Sequence, residues 1–412
     1  MDNQHCRFCG QKLEHTFADL GFSPLSNEYL SAEALDQGQT YYPLKVQVCG
    51  GCFLVQAALY QRPEQIFGEY QYFSSYSQSW LQHCKAYVDM IVPRLGLDGG
   101  SRVLEIACND GYLLQYFQPY GIPVKGIEPA ENVAKAARAK GIEVQCCFFG
   151  TDTARDIAAA DGRYDLVIGN NVLAHVPDIN SFVEGLALVL SPEGTITMEF
   201  PHLLRLIEHS QFDTIYHEHF HYLSLTTVRR IFQAHGLEIY DVEELETHGG
   251  SLRVYAGHQA HVQAGPSAAA LLEREERFGL TNIRTYGDFT LQMRKIKLDA
   301  LRLFTELKQQ GARIAAYGAA AKGNTFLNYC GIKHDVIDFV VDSNPHKQGF
   351  YLPGSLIPIV GPEVLRERRP DYLLILPWNL TDEIVRSAAH TAEWGCKFIV
   401  CIPEVRVFEL SQ

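Results

Sequence analysis

Short apolar runs alternate with amphipathic stretches along the middle of the chain. The apolar runs have the length of buried strands and cover residues 101–107, 124–128, 164–170 and 194–200. Between them, residues 112–120, 130–140 and 179–190 show the hydrophobic spacing of helices. A regular alternation of strands and helices predicts a doubly wound parallel sheet.

The pattern extends on both sides of this region. Residues 226–235 predict a helix with Ser224 as its N-cap and Gly236 as its C-terminal stop, and two late strands follow at 237–243 and 252–256. A charged amphipathic helix is predicted over 288–310, and a second α/β unit follows with strands at 313–317, 336–342, 372–376 and 397–402. Upstream, residues 77–97 predict a helix and residues 1–75 short strands with turns. We expect three domains, at 1–75, 76–285 and 286–412.

Composition excludes several classes of protein. Eleven cysteines without a secretion signal favour reduced thiols and metal ligation over disulfides. A formal net charge of −13 disfavours a nucleic-acid partner, which needs basic patches. No apolar run reaches the roughly 18–20 residues that span a bilayer. We therefore expect a cytoplasmic protein with no membrane partner, either a monomer or a weak homo-oligomer.

Four cysteines form two tight pairs, Cys6 with Cys9 and Cys49 with Cys52. Each pair has the Cys-x-x-Cys spacing of a chelating turn, and four thiolates suit tetrahedral zinc. A complete set of protein ligands leaves no open coordination position, so the spacing predicts a structural zinc ion. Unligated core cysteines are the alternative.

A candidate cofactor loop follows the strand at 101–107. The chain must turn sharply between Glu105 and Gly111 and expose backbone N–H groups to a ligand. Because Gly111 is its only glycine, the loop is a poor match to the dinucleotide pattern GxGxxG. Glu128 ends the next strand, where a carboxylate can accept both ribose hydroxyls, and Asn170 and Asn171 end a later strand. A plain α/β domain without a ligand is the alternative.

The densest chemistry lies at residues 213–222, where three histidines, two tyrosines and two carboxylates occur within ten positions. Such groups transfer protons near neutral pH. His217 to His221 also matches the HExxH pattern of zinc proteases. However, the predicted helix begins only after Ser224, and no third ligand follows at the required spacing. General acid–base chemistry is therefore favoured over a catalytic zinc and over a purely structural histidine cluster.

The chain resembles the sugar C-methyltransferases of nucleoside-diphosphate deoxysugar pathways over nearly its whole length. The most specific match is Tyr-His-Glu-His at 216–219. Other matching segments are 49–56, 70–75, 105–114, 171–178, 199–202, 248–253, 322–330 and 342–349. The resemblance implies a Rossmann-like class I S-adenosylmethionine (SAM) methyltransferase domain, a small N-terminal zinc-binding domain and a second, C-terminal Rossmann-like α/β domain.

The resemblance also implies roles for individual residues. His219 would be the general base, with Tyr216, Glu218 and His175 lining the active site. The SAM-binding positions would be Glu105, Ala107, Asn109, Gly111, Glu128, Asn170 and Asn171, with Ala107 standing where many members carry glycine. The substrate-binding positions would be Tyr70, His248, Lys322 and Asn324; the last two lie in the small-residue loop at 318–325, which can help to hold a nucleotide diphosphate or can be a lid without phosphate contacts.

A carbon atom of a sugar is acidic only beside a carbonyl group. The expected substrate is therefore a nucleotide-linked 4-keto-deoxysugar, methylated at C3 through an enolate. Three alternatives remain open: a SAM-dependent methyltransferase of RNA, protein or a small-molecule O or N atom; a nicotinamide oxidoreductase; and a zinc scaffold without catalytic activity.

Overall fold

A computed structural model of the chain describes residues 3–61 and 73–410. The substrate-binding prediction for Tyr70 lies outside these residues. The described chain separates into two compact units. Unit 1 comprises Met1–Leu13, Cys49–Leu203 and Phe220–Thr281, and unit 2 comprises Glu14–Val48, Leu204–His219 and Asn282–Gln412.

The strands and helices are numbered in chain order over the described residues. The strands are β1 (His15–Ser23), β2 (Tyr42–Val48), β3 (Val55–Ala57), β4 (Val103–Ile106), β5 (Val124–Ile127), β6 (Glu143–Gln145), β7 (Tyr164–Asn170), β8 (Leu190–Pro201), β9 (His221–Tyr222), β10 (Leu237–Leu245), β11 (Ser251–His258), β12 (Ile314–Tyr317), β13 (Val340–Val341), β14 (Ile359–Val360), β15 (Tyr372–Ile375), β16 (Lys397–Val400) and β17 (Arg406–Phe408). The helices are α1 (Gln78–Leu95), α2 (Glu131–Ala139), α3 (Thr151–Asp161), α4 (Ile179–Val189), α5 (Leu203–Glu208), α6 (Leu225–Ala234), α7 (Pro266–Phe278), α8 (Ile283–Gln309), α9 (Ala321–Cys330), α10 (Val364–Arg368) and α11 (Thr381–Ser387).

Unit 1 contains a seven-stranded sheet in the order β10-β11-β8-β7-β4-β5-β6. Strands β4 to β8 are parallel, and β11 runs antiparallel between β8 and β10. The sequence order reverses at β4, which pairs with both β5 and β7. In such sheets a ligand binds in the crevice at the carboxyl ends of the strands where the order reverses. The loop that follows Ile106 and the end of β7 at Asn170 lie at this edge.

Unit 2 contains a second doubly wound sheet in the order β14-β13-β12-β15-β16-β17. Strand β12 is its switch point because it pairs in parallel with both β13 and β15. The antiparallel pair of β1 and β2 also belongs to this unit. Phe17 of β1 stacks on Phe289 of α8 with ring centroids 4.6 Å apart. The unit therefore buries an aromatic face from residues more than 250 positions apart.

The α/β prediction is confirmed in both units, whereas several predicted elements differ in detail. The helix predicted at 112–120 was wrong: two 3₁₀ turns, Leu114–Tyr116 and Gln118–Tyr120, occupy this stretch. Pro119 has no N–H to donate to an α-helical ladder. The strand predicted at 336–342 is reduced to Val340–Val341, and helix α9 begins at Ala321, inside the loop predicted at 318–325. Helices α3 and α7 were not predicted. No helix among the described residues combines the length and apolar character needed to cross a bilayer.

Candidate active site and metal centre

The four cysteines of unit 1 converge. The Cys6 and Cys52 Sγ atoms are 3.5 Å apart, as are those of Cys9 and Cys49, and all four Sγ atoms lie within 4.8 Å of one another. Tetrahedral zinc with Zn–S bonds of about 2.3 Å places its sulfurs roughly 3.8 Å apart. The four thiolates therefore fit a zinc ion with no open ligand position, as the sequence predicted.

The two cysteine pairs are held by the same backbone turn. In the first, the Cys6 carbonyl accepts a hydrogen bond from Gly10 N at 2.9 Å; in the second, the Cys49 carbonyl accepts one from Phe53 N at 3.0 Å. Gly10 and Phe53 both have positive φ, 73° and 63°. These matching turns aim both thiols of a pair at one point, and we call them the first and second zinc knuckles.

The loop after β4 is held in a tight conformation. Ala107, Asn109 and Gly111 have φ values of 59°, 48° and 74°, so left-handed residues alternate along the turn. A Cβ atom at Gly111 would clash with the side chain of Ile142 and crowd Ala137. Three backbone N–H groups of the loop donate within the protein: Cys108 N to the Ile127 carbonyl, Asn109 N to Glu128 and Gly111 N to the Cys108 carbonyl.

Glu128 fastens this loop to the end of β5. Its two carboxylate oxygens accept hydrogen bonds from Asn109 N at 3.0 Å and from Ala130 N at 2.9 Å. Each carboxylate oxygen has a second lone pair that can accept a hydroxyl group. Burial raises the pKa of Glu128, although the two backbone bonds act in the opposite direction. Glu128 is thus placed both to hold the loop and to accept ribose hydroxyls.

The edge of the unit 1 sheet fits a cationic ligand. Glu105 is fully buried, and burial followed by the nearby charges of Glu128 and Asp110 raises its pKa well above the ordinary value. A positive ligand would offset this accumulation of carboxyl groups. Asn170 is also buried, and its Nδ2 has no hydrogen-bond partner among the described residues. These groups fit the sulfonium, ammonium and hydroxyl groups of SAM.

Asn171 and His248 form a strained pair at the same sheet edge. Both have left-handed backbones, with φ values of 54° and 56°, and Asn171 Nδ2 lies 3.1 Å from His248 Nε2. Left-handed residues other than glycine concentrate at functional sites. Trp80 of α1 lies beside this pair, with its ring centroid 5.5 Å from that of His248. His175 is half-buried at the end of the 3₁₀ turn Leu173–His175.

In unit 2, a hydrogen bond to the backbone fixes the tautomer of the His219 imidazole. His219 Nδ1 lies 2.8 Å from the carbonyl oxygen of Thr214. Because a carbonyl oxygen can only accept, Nδ1 carries the hydrogen, and the lone pair of the neutral ring is on Nε2. The ring of Tyr216 lies against this imidazole with centroids 4.0 Å apart.

The carboxyl group next to His219 titrates near neutrality. Glu218 is buried, and its Oε1 accepts one hydrogen bond, from Asn27 Nδ2 at 2.6 Å. Burial raises the pKa of Glu218 to about 7, although the Asn27 bond opposes the shift. Asn27 lies 191 positions upstream, so no local pattern in the sequence could predict this partner.

The protease-like interpretation finds no support in the described residues. Residues 217–220 form no helix, so His217 and His221 do not share a helical face. Instead, His217 Nε2 lies 3.3 Å from the carbonyl oxygen of Pro43. Within residues 3–61 and 73–410, the four cysteines are the only cluster placed to hold a metal ion.

Two lysines lie at the switch point of the unit 2 sheet. Lys322 Nζ donates to Asn379 Oδ1 at 2.7 Å and lies 4.8 Å from the ring centroid of Trp378. Lys347 Nζ donates to the Ala319 carbonyl at 2.8 Å. Burial lowers the pKa of both lysines. The sequence predicted a substrate-binding role for Lys322 but not for Lys347, although Lys347 lies in segment 342–349, which matches the C-methyltransferase family.

The neighbours of these lysines are buried polar groups. Asp213 accepts a hydrogen bond from Trp378 Nε1 at 2.8 Å, and burial raises its pKa to about 6 against the opposing charge of Lys322. Asn324 is 1% exposed and donates through Nδ2 to the Ser26 carbonyl at 2.6 Å. The switch point of the unit 2 sheet thus combines two lysines with Asp213 and Asn324, whose side chains are already hydrogen-bonded to other residues.

Three family models match consecutive parts of the chain. Residues 6–67 match a model described as "Putative zinc binding domain", residues 79–242 match a methyltransferase domain, and residues 246–403 match a C-methyltransferase C-terminal domain. These matches cover both units.

Among curated proteins, the chain is 37% identical over 403 residues to C-methyltransferase NovU of Streptomyces niveus, covering 98% of this chain and 96% of that protein. It is 29% identical over 146 residues to a ubiquinone biosynthesis O-methyltransferase of Bordetella avium, covering 35% of this chain and 56% of that protein. Among solved structures, the PH0226 protein of Pyrococcus horikoshii matches 48% of this chain and all of its own, with 17% identity and a TM-score of 0.39.

Proposed function

Because the chain belongs to the family of SAM-dependent C-methyltransferases that includes NovU, we propose that it methylates C3 of a nucleotide-linked 4-keto-deoxysugar. SAM and a structural zinc ion are its cofactors. The observation that carries the proposal is the bond between Thr214 and His219, which fixes the lone pair of the neutral imidazole on Nε2. An imidazole held in this tautomer suits the removal of a proton from carbon.

Transfer of a methyl group to carbon requires a carbon nucleophile. His219 Nε2 removes the proton at C3, which is acidic because C4 is a carbonyl carbon. SAM, when bound, supplies the electrophilic methyl group. The protein must hold the reacting atoms about 3–3.5 Å apart. The nucleophile and its base therefore decide which atom is methylated.

The developing enolate oxygen needs a hydrogen-bond donor. Tyr216, whose ring contacts His219, and His175 are the proposed donors. Stabilisation of developing charge by fixed donors is often the largest contribution to catalysis. Glu218 is proposed to tune the imidazole through its charge, since a pKa of about 7 lets that charge change in the working range of pH.

The nucleotide diphosphate is proposed to bind at the switch point of the unit 2 sheet. Lys322 and Lys347 lie there, and burial lowers the pKa of each. A diphosphate would favour their charged forms. The sequence led us to expect this role for Lys322 and Asn324, and we extend it to Lys347.

The test uses SAM with a ¹³C-labelled methyl group and three acceptors: the nucleotide-linked 4-keto-sugar, the same compound reduced to the 4-hydroxyl, and the free 4-keto-sugar. We expect a carbon-bound methyl signal by NMR with the first compound alone at low concentration. Methylation of the 4-hydroxyl compound, or a methyl group on oxygen or nitrogen, would favour the alternative of a different SAM-dependent methyltransferase.

A further inference from the structure

We infer that Arg7, in the first zinc knuckle, is a positioning residue for the segment that carries His219, so that the metal site supports turnover as well as folding. The inference rests on the proposed role of His219. It concerns a residue that lies between two metal ligands, Cys6 and Cys9, and that no sequence motif singled out.

Arg7 uses its whole guanidinium group to hold a short stretch of unit 1. Nη1 donates to the Ala57 carbonyl at 2.8 Å and Nη2 to the Phe220 carbonyl at 2.6 Å. Nε donates to His221 Nε2 at 3.1 Å, and the backbone N–H donates to Gln56 Oε1 at 3.1 Å. The three nitrogens of a planar fork thus fix three acceptors at once, which a lysine cannot do.

Two of these acceptors, His221 Nε2 and the Phe220 carbonyl, lie directly after the Tyr-His-Glu-His run at 216–219. Strand β9 begins at His221 and pairs with β3, where Gln56 is opposite His221. The Phe220 carbonyl also accepts a hydrogen bond from Ala57 N at 3.0 Å, and Phe220 N donates to the Ala174 carbonyl at 2.7 Å. Both sides of the Phe220 residue are therefore fastened.

Phe220 directly follows His219, and Ala174 directly precedes His175. Holding Phe220 therefore fixes a neighbour of each of the two candidate catalytic histidines. A misplacement of about 1 Å can cost on the order of 10²-fold in rate. Loss of the Arg7 bonds should therefore slow the chemical step while both substrates still bind.

The second zinc knuckle provides a matched control. Arg230 of α6 is exposed, donates to the Gly51 carbonyl at 3.2 Å and lies 5.4 Å from the ring centroid of Phe53. It contacts the metal-binding turn, and among the described residues it makes no hydrogen bond to β9 or Phe220, so its loss should leave residues 216–222 in place.

The experiment compares Arg7→Lys, Arg7→Gln and Arg230→Gln in the full chain. Four properties are measured: zinc content, affinity for S-adenosylhomocysteine, steady-state kinetics with the keto-sugar, and amide hydrogen exchange of residues 220–222. For both Arg7 variants we expect unchanged zinc content, affinity and KM, a fall in kcat on the order of 10–100-fold, and faster exchange at 220–222. Arg230→Gln should match the wild type in all four.

Wild-type kcat in both Arg7 variants would overturn the inference. Loss of zinc or of S-adenosylhomocysteine affinity in parallel with kcat, or failure of both variants to fold, would also overturn it, because Arg7 would then act through folding alone. If the wild type does not methylate the keto-sugar, the proposed function fails. Amide exchange still decides in that case whether Arg7 fixes residues 220–222.

Discussion

Two buried glutamates show opposite solutions to the same electrostatic problem. Glu275 of unit 1 is fully buried and accepts hydrogen bonds from the backbone N–H groups of Leu225 and Thr226, both at 2.7 Å, from Thr226 Oγ1 at 2.6 Å and from His202 Nε2 at 2.7 Å. Glu218 of unit 2 accepts a single hydrogen bond within residues 3–61 and 73–410, the one from Asn27 described above. Both carboxyl groups are removed from water, but only one is surrounded by donors.

The number of donors decides the charge. Burial alone would raise the pKa of Glu275, but the bonds from His202 and Thr226 bring it below the ordinary value. For Glu218, one bond is too little, and burial raises the pKa to about 7. A saturated carboxylate at the start of α6 stabilises the fold. A carboxyl group that remains short of donors destabilises it and is typical of a functional site.

The largest expected effect comes from His219→Asn. This change should lower turnover by about 10²–10⁴-fold, the usual loss for a positioned base, without lowering the free energy of unfolding. The wild type should also exchange the C3 hydrogen for solvent deuterium when S-adenosylhomocysteine replaces the methyl donor, and the variant should not. His209→Asn, at an exposed histidine of unit 2, is the control. Near-normal turnover in His219→Asn would assign the base elsewhere.

The stabilising role of the fully hydrogen-bonded carboxylate is tested by Glu275→Gln. The amide NH2 group replaces one carboxylate oxygen and so faces one of the two backbone N–H donors, and the free energy of unfolding should fall by about 3–5 kcal/mol, as for the removal of one partner from a buried charge pair. Because the folded-state pKa is lowered, this contribution is present above the unfolded pKa of about 4.3 and is lost as pH falls through the folded value. Urea denaturation at several pH values measures it. Glu273→Gln, at an exposed residue of α7, should change little.

The buried carboxyl group with one donor is tested by Glu218→Gln. This variant should be more stable than the wild type at pH 8. Burial raises the folded-state pKa of Glu218 to about 7. The protonated carboxyl group therefore makes its full contribution to stability below the unfolded pKa, and this contribution is lost as pH rises through the folded value. The gain should approach about 3 kcal/mol at pH 8 and vanish near pH 4. Turnover should fall at the same time. Equal stability of both proteins across this range would show that Glu218 behaves as an ordinary surface carboxylate.

The smallest effect is expected at the cofactor loop. Glu128→Ala should weaken SAM binding by about 1–3 kcal/mol, the value of charge-assisted hydrogen bonds to hydroxyl groups. Titration calorimetry measures the affinity. Glu131→Ala removes an exposed carboxylate three positions later, which is bonded to Arg138 at 2.6 Å, and should leave the affinity unchanged. An unchanged affinity in Glu128→Ala would place the ribose elsewhere.

The sequence predicted what depends on local patterns. The strand–helix alternation predicted the doubly wound sheet of unit 1 and a second α/β unit, and the two Cys-x-x-Cys pairs predicted the metal centre. It could not predict contacts made over long separations. Glu275 resembles any other charge on an amphipathic helix, since its partners lie about 50 and 73 positions upstream. The hydrogen bond that His219 Nδ1 donates to the Thr214 carbonyl likewise depends on a turn that the apolar pattern does not record.

The division of the chain into units has a consequence for folding during synthesis and for the design of chimaeras. The chain leaves unit 1 after Leu13, returns at Cys49, leaves again after Leu203, returns at Phe220 and leaves once more after Thr281. Neither unit is a continuous stretch, so neither can finish folding from its own nascent segment as the ribosome releases it, and many contacts must wait for distant residues. A chimaera that takes only residues 282–412 from a relative would inherit one of the three segments of unit 2. We expect a chimaera to preserve the packing of unit 2 when all three segments come from the same parent.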